Sequence, residues 1–221
     1  MKLAAVDVRQ AASAADIVYD ALRKAIIEGD LAEGKNLRQD QIAQMFNTSR
    51  IPVREALARL EQHGLITNER YKGAVVAGLS IEEIDEIFEF RAFVEAEVMR
   101  LAVPNLDQDA LAAARRYCQE FGNEPDSARW GEINRSFHYT LYAASRRPYY
   151  LQIVRTSLDR IDRYLRAQLT LTNGVMRADR EHQAILEACL NGDAALASRL
   201  TRDHVLDAGR SLVVFLKNQR S

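Results

Sequence analysis

The sequence predicts a mostly helical protein in two parts: a winged helix-turn-helix over residues 1–77 and an all-helical bundle over residues 78–221. Two observations predict this division. Three amphipathic segments precede a pair of short β-prone runs, and nearly all of the chain beyond Ser80 has helical period. Hydrophobic residues form 48% of the 221 residues and charged residues 28%, so the chain can build a core and does not have the composition of a disordered protein or a fibre.

The first part contains three helical segments and a hairpin. We expect helices from about Ala14 to Glu28, from about Asp40 to Phe46, and from Ser49, an N-cap, to Gly64, a C-cap. Two short β-prone runs follow, joined by a polar turn over residues 68–73. Helix, helix, short turn, helix and hairpin is the order of a winged helix-turn-helix.

The third helix has a polar stripe apart from its apolar one. Arg50 and Arg54 lie one turn apart on it, just after Ser49, and the hairpin tip adds Lys72 and Gly73. Arginines and hydroxyls at a helix N-terminus suit phosphates and base edges in a major groove, and a glycine allows a backbone to approach a sugar-phosphate ridge. The pattern therefore indicates DNA contact, with an ordinary solvated face as the alternative.

The net charge of −1, from 30 basic and 31 acidic residues, does not indicate a general polyanion binder. The window from residue 47 to 73 is more basic, with five basic residues against three acidic ones. A patch of this size binds DNA weakly in one copy, which predicts a homodimer that reads two half-sites.

Cysteine content and hydropathy argue against disulfide-rich, zinc-finger and membrane proteins. Cys118 and Cys189 are far apart and belong to no CxxC motif, so we expect two buried thiols rather than a disulfide framework or zinc finger. No apolar run approaches the roughly 20 residues of a membrane helix. These features predict a cytoplasmic protein with no membrane partner.

Three histidines of the second part share helical stripes with apolar residues: His138, His182 and His204. They are therefore expected to face the interior of the bundle. Asn134 lies one turn before His138, and helix bundles commonly build metal sites from such side chains. The alternative is three separate core histidines, each with its own hydrogen bond, and spacing alone favours that alternative.

Several motifs resemble the GntR family of bacterial transcription regulators. The recognition-helix motif is Thr48-Ser49-Arg50-Ile51-Pro52-Val53-Arg54-Glu55-Ala56-Leu57, and the helix end and wing are Arg59-Leu60-Glu61, Gly64-Leu65-Ile66 and Lys72-Gly73-Ala74-Val75-Val76. The second part resembles the effector domain of the FadR/FCD branch, in a VanR-like arrangement of six helices. Its matching pieces are Arg91 with Glu95, Asn134-Arg135-Ser136-Phe137-His138, Glu181-His182, Ile185-Leu186-Glu187-Ala188, Gly192-Asp193 and Asp203-His204.

The resemblance implies DNA contact by Ser49, Arg50 and Arg54 in the groove and by Gly73 at the wing. The family often places a basic or polar contact residue where this chain has Asp40. We expect Arg38, two residues earlier, to substitute for it.

The resemblance also implies a divalent metal, because FCD domains bind one through an Asp and three His. His138, His182 and His204 occupy the three His positions, and Asn134 stands where the best-known pattern has Asp. An amide oxygen can ligate without bringing charge, and a His-rich site suits zinc, nickel or manganese.

A small organic acid is expected to fill the open coordination positions of that metal. The candidate effector-binding residues are Arg91, Tyr142 and Arg163. For Arg91 the alternative is a structural pair with Glu95, four residues later on the same helix.

The expected function is transcriptional regulation, in the form of repression, by a homodimer on double-stranded operator DNA that responds to a small organic acid. The linker over residues 77–80 is the expected hinge, with freedom supplied by Gly78 and a capping box from Ser80 to Glu83. One alternative is a DNA-binding dimer whose helical half has only a structural role. The other, a metal-dependent enzyme, is disfavoured because Glu181 and Asp203 each precede a histidine by one residue and are expected to point elsewhere.

Overall fold

The computed structural model describes residues 13–171 and 174–219, which divide into two compact units with the boundary after Gly78. The first unit contains three helices and a two-stranded hairpin, and the second contains six helices within the described residues. This confirms the predicted class, a winged helix-turn-helix followed by an all-α bundle. Among the described residues, no helix has both the length and the apolar character needed to cross a membrane.

The first unit consists of α1 (Ala14–Glu28), α2 (Gln39–Met45), α3 (Arg50–Gln62), β1 (Ile66–Glu69) and β2 (Gly73–Val76). Its core includes Val18, Leu22, Val53, Leu57 and Leu60, which are the apolar stripes of α1 and α3. The strands are antiparallel, with Ile66 opposite Val76.

Local sequence signals explain where the helices of the first unit begin and end. A capping box between Ser13 and Asp16 opens α1, and Gly29 ends it in the left-handed conformation with φ of 87°. Ser49 has the extended backbone of an N-cap, but its side chain makes no capping hydrogen bond. His63, rather than Gly64, is the C-cap of α3, and Gly64 follows it at φ of 68°.

The second unit consists of α4 (Ile81–Ala102), α5 (Gln108–Asn123), α6 (Ser127–Tyr142), α7 (Pro148–Leu171), α8 (Gly174–Leu190) and α9 (Ala194–Gln219). The predicted capping box opens α4, because Glu83 N–H donates to Ser80 Oγ at 3.1 Å and Ser80 N–H donates to the Glu83 carboxylate at 2.9 Å. The long helices α4 and α9 pack extensively on each other, and α5, α6 and α8 pack beside them.

The boundary segment differs from the expected free hinge. Gly78 lies against the carboxylate of Glu33, so a Cβ at this position would collide with that side chain, and the glycine permits a close approach. On either side, Ala77 N–H donates to the Leu65 carbonyl at 3.0 Å, and Leu79 N–H donates to the Tyr164 hydroxyl at 3.0 Å. Each neighbour of Gly78 is thus hydrogen-bonded within its own unit.

Replacing Gly209 with alanine should destabilise the second unit. The new Cβ would lie 2.6 Å from Cγ of Phe88, a core residue of α4 that is 1% exposed. Overpacking typically costs about 1–3 kcal/mol, against a gain of about 1 kcal/mol in helix propensity. We expect a net loss of up to about 2 kcal/mol in the free energy of unfolding, measured by urea denaturation.

Gly131→Ala is the matched control, because the three atoms nearest to a Cβ at this helical glycine all belong to the guanidinium of Arg166, at 3.3–3.5 Å, and that side-chain end can shift. The control should be neutral or stabilising by up to about 1 kcal/mol. Equal losses in the two variants would contradict the packing described here.

Candidate functional site

The polar stripe of α3 lies on the surface of the first unit. Ser49, Arg50 and Arg54 are exposed, whereas Val53 and Leu60 on the opposite stripe are completely buried. The amphipathic helix therefore presents its N-terminal arginines to solvent, as a helix that enters a DNA groove must.

Four of the six predicted DNA-binding residues line one hollow of about 450 Å³ beside α3: Arg38, Arg54, Lys72 and Gly73. Asp40 lines the same hollow, and its carboxylate pairs with the guanidinium of Arg50. Because both side chains are exposed, this pair contributes at most about 1 kcal/mol, and a DNA phosphate can compete for Arg50.

The wing tip carries an aromatic residue that the sequence patterns did not single out. Tyr71 is 92% exposed and has φ of 71°, a left-handed conformation that is uncommon for a bulky residue. The guanidinium of Arg70 lies 5.0 Å from the centre of its ring. Two contacts stabilise the tip: the side chain of Asn36 donates to the Lys72 carbonyl, and Lys72 Nζ lies 2.7 Å from the carboxylate of Glu69.

The second unit brings three histidines together from three helices: His138 on α6, His182 on α8 and His204 on α9. Each offers a ring nitrogen within 4.8 Å of the nitrogens of the other two, and each pair of ring centres is 5.0 Å apart. All three are buried, with exposures of 7%, 0% and 8%.

The chemistry of the cluster fits a metal-ligand set. Burial is the main cause that lowers the pKa of His138 and of His182 well below the ordinary value, so both rings are neutral at pH 7. Within the described part of the chain, neither ring nitrogen of His182 has a hydrogen-bond partner. An unsatisfied buried polar group costs about 1–3 kcal/mol, and a divalent cation bound by neutral imidazoles would satisfy one of these nitrogens.

The other two rings are oriented by neighbours. Glu181 lies 2.7 Å from Nδ1 of His204, and because a carboxylate only accepts, Nδ1 is the donor of this pair and Nε2 is the nitrogen left to face a metal ion. The Tyr142 hydroxyl donates to Glu95 at 2.8 Å and lies 3.4 Å from Nδ1 of His138, so its oxygen can accept from that ring. Carboxylate and hydroxyl partners of this kind typically fix the tautomer of a metal-binding histidine.

The expectation that Glu181 points away from the histidines was wrong. Adjacent residues on a helix point in different directions, so Glu181 does not point the same way as His182. Its side chain instead points toward the neighbouring helix α9, where it contacts His204. Asp203, the other acid considered, is exposed.

The remaining predicted site residues differ in their burial and in their partners. Asn134 is half-buried on α6, one turn before His138. Arg91 is buried and donates from Nε to Glu95 at 2.7 Å, the structural pair considered as its alternative, yet its charge also lowers the pKa of His138. Arg163 donates to the hydroxyl of Tyr164 at 2.7 Å and stacks on that ring.

The metal-free protein should lose stability as the pH falls below about 6.5. In the unfolded chain His138 and His182 take up protons near pH 6.5, whereas in the folded chain they stay neutral to a much lower pH. Protons therefore favour the unfolded state, by up to about 1.4 kcal/mol per pH unit for each ring. Urea denaturation in chelator between pH 7.5 and 5.5 measures this slope, and a flat profile over that range would contradict it.

Comparison with known proteins is consistent with this architecture. The family model of the gntR family of bacterial regulatory proteins matches residues 14–76, and the FCD domain model matches residues 86–207, more than half of the chain. The chain is 30% identical over 201 residues to the HTH-type transcriptional repressor GlaR of Escherichia coli (strain K12), covering 85% of this chain and 90% of GlaR.

Two further similar proteins are also transcriptional regulators. The match to the uncharacterized HTH-type transcriptional regulator YdhC of Bacillus subtilis (strain 168) is 28% identical over 127 residues and spans 56% of this chain and 57% of YdhC. A crystal structure of a GntR family member from Pseudomonas syringae pv. tomato str. DC3000 is 33% identical, with coverage of 94% of this chain and 87% of that one and a TM-score of 0.58. The chain therefore belongs to the gntR family of bacterial regulatory proteins, in the branch that carries an FCD domain, and is a DNA-binding transcriptional regulator.

Proposed function

We propose that this regulator is a repressor that binds its operator as a homodimer, and that a small organic acid bound at a metal ion in the helical unit changes its operator affinity. The observation that carries the proposal is the cluster of three buried histidine rings, one of which, His182, has no hydrogen-bond partner for either nitrogen among the described residues. The similarity to the repressor GlaR supports repression.

On the DNA side, Ser49, Arg50 and Arg54 enter the major groove, and Arg54 reads a base edge. Lys72 and Gly73 at the wing, together with Arg38, contact the sugar-phosphate backbone. The exposure of all six residues supports these roles. Because the basic surface is small, two copies on two half-sites are needed for useful affinity.

On the metal side, His138, His182 and His204 would hold a divalent ion, and the amide oxygen of Asn134 would complete the set. These ligands are neutral, and a His-rich set of this kind suits zinc, nickel or manganese. A bound ion would supply positive charge and open coordination positions for a carboxylate. Glu181 and Tyr142 orient His204 and His138 for this role.

The effector carboxylate would reach such an ion near Arg91, with Tyr142 and Arg163 as further contacts. The pair of Arg91 with Glu95 is buried, so the acid must compete with Glu95 for the guanidinium. This competition couples the effector to α4, because Arg91 and Glu95 both belong to the helix that follows the boundary at Gly78. A coupling free energy of about 1–3 kcal/mol would change operator affinity by roughly 5–150-fold.

Genomic fragments retained by the purified full-length protein supply the operator for the test. Fluorescence anisotropy then gives the operator affinity of the apo-protein, of the protein with Ni²⁺, and of the protein with Ni²⁺ and each member of a panel of di- and tricarboxylic acids. We expect at least one acid to change the affinity by about 5-fold or more, only when the ion is present. If neither ion nor acid binds, the helical unit serves only structure or dimerisation, and the effector proposal fails.

A further inference from the structure

The helical unit has a surface cavity whose lining includes none of the three histidines. It has a volume of about 480 Å³, within the range of small-molecule sites, and lies between the end of α7, the start of α8 and the last turns of α9. Its polar lining includes Gln168, Arg177, Arg210 and Ser211, and its apolar lining is Val214 with Phe215. Two guanidinium groups beside an aromatic ring are suited to a small acid with an apolar body.

Arg177 connects this cavity to the histidine cluster. Its Nη1 donates to the Ser211 hydroxyl, and its Nε is buried 3.4 Å from Oε1 of Glu181, without the geometry of a hydrogen bond. The other oxygen of the same carboxylate, Oε2, lies 2.7 Å from Nδ1 of His204. One carboxylate is therefore shared between a cavity arginine and a cluster histidine.

We propose that this cavity binds a small monocarboxylic acid with an apolar body, and that Arg177 transmits its occupancy to the metal site through Glu181. The acid pairs with Arg177 and Arg210, and its apolar body contacts Val214 and Phe215. Arg210 already pairs with Asp207, but that pair is on the surface and exchanges easily. Binding of the acid in the cavity does not depend on the metal, whereas the effect of the acid on the metal site rests on the proposed function.

The direction of the coupling follows from the shared carboxylate. When an acid draws the charge of Arg177 toward the cavity, Glu181 is left to accept from His204 alone, which makes that imidazole a stronger metal ligand. The acid therefore raises metal affinity, and by linkage the metal raises the affinity for the acid by the same factor.

Sodium benzoate is the probe, with sodium chloride at equal ionic strength as the reference. Calorimetry and thermal denaturation of the full-length apo-protein measure benzoate binding, and titration with Ni²⁺ with and without benzoate measures the coupling. We expect benzoate to bind the apo-protein and to raise Ni²⁺ affinity by about 5-fold or more. Arg177→Gln should lose both effects and should bind Ni²⁺ without benzoate as tightly as the benzoate-loaded wild type, and Arg177→Lys should keep part of the benzoate binding.

Two further variants separate the sites. Arg210→Gln should weaken benzoate binding and leave Ni²⁺ affinity without benzoate unchanged. His182→Leu should lose Ni²⁺ and keep benzoate. If benzoate binding is absent from the wild type, survives Arg177→Gln intact or disappears in His182→Leu, the cavity is not its site. Benzoate binding without any change in Ni²⁺ affinity would overturn the coupling, and failure of the wild type to bind Ni²⁺ would overturn the metal proposal while the apo-protein measurements still decide the cavity.

Discussion

Replacing Arg54 with alanine should cost the dimer at least about 30-fold in operator affinity while leaving its fold unchanged. A good bidentate contact between an arginine and a guanine is worth about 1–3 kcal/mol, and a symmetric dimer loses one contact in each half-site, or about 2–6 kcal/mol. Arg54 is exposed on α3, so its removal should not alter the free energy of unfolding. Anisotropy titrations on operator and on scrambled DNA measure both the affinity and the loss of sequence preference.

Lys24→Ala is the matched control for Arg54→Ala. It removes one exposed positive charge from the same unit, on α1, where the side chain is only loosely paired with Glu28 at 4.0 Å. We expect this variant to bind the operator as the wild type does. Similar affinities for the two variants would show that Arg54 is part of an ordinary solvated face.

Replacing His182 with leucine should abolish metal binding and at the same time stabilise the metal-free protein. The ring of His182 is fully buried between Phe121 and Phe137, with centres 4.8 and 4.7 Å away, and its two nitrogens lack partners within the described residues. An apolar side chain removes that desolvation cost, which is about 1–3 kcal/mol for each unsatisfied group. A structural histidine held by hydrogen bonds would give the opposite sign.

Urea denaturation, with chelator and with Ni²⁺, measures the sign of the change in the free energy of unfolding. Wild-type protein should gain stability with Ni²⁺, by mass action on the folded state, and the leucine variant should gain none. Thr201→Val is the matched control, because Thr201 is also fully buried, its hydroxyl has no partner in the part of the chain that the structure describes, and it lies outside the cluster. It should stabilise the apo-protein and keep the response to Ni²⁺, and destabilisation by His182→Leu in chelator would contradict our account.

The parts of the fold that follow from short-range signals were predictable. The capping box predicted at Ser80 and the left-handed Gly29 are local features, and the bounds of α1 agree with the prediction. The stripes of α6, α8 and α9 placed three histidines on interior faces because helical period relates residues within one element. The resemblance to a known family then identified the cluster as one site, which spacing alone did not.

The parts of the site that depend on packing between helices were not predictable. Whether Glu181 approaches His204 depends on how α8 lies beside α9, and a one-residue offset on a single helix does not contain that information. The pair of Arg91 and Glu95 was considered as a local contact, but its extension through Tyr142 to His138 crosses from α4 to α6. Gly78 was expected to supply conformational freedom, but it lies against Glu33. These two positions are far apart in sequence, so local patterns did not indicate the contact.

Calorimetric titration of the chelator-treated full-length protein with Ni²⁺ tests the central claim most directly, that the three buried histidines form one metal site. The account predicts one ion per chain for the wild type and none for His182→Leu, with operator binding by the variant retained in the absence of metal and acid. Failure of the wild type to bind an ion, or equal binding by the leucine variant, would contradict it.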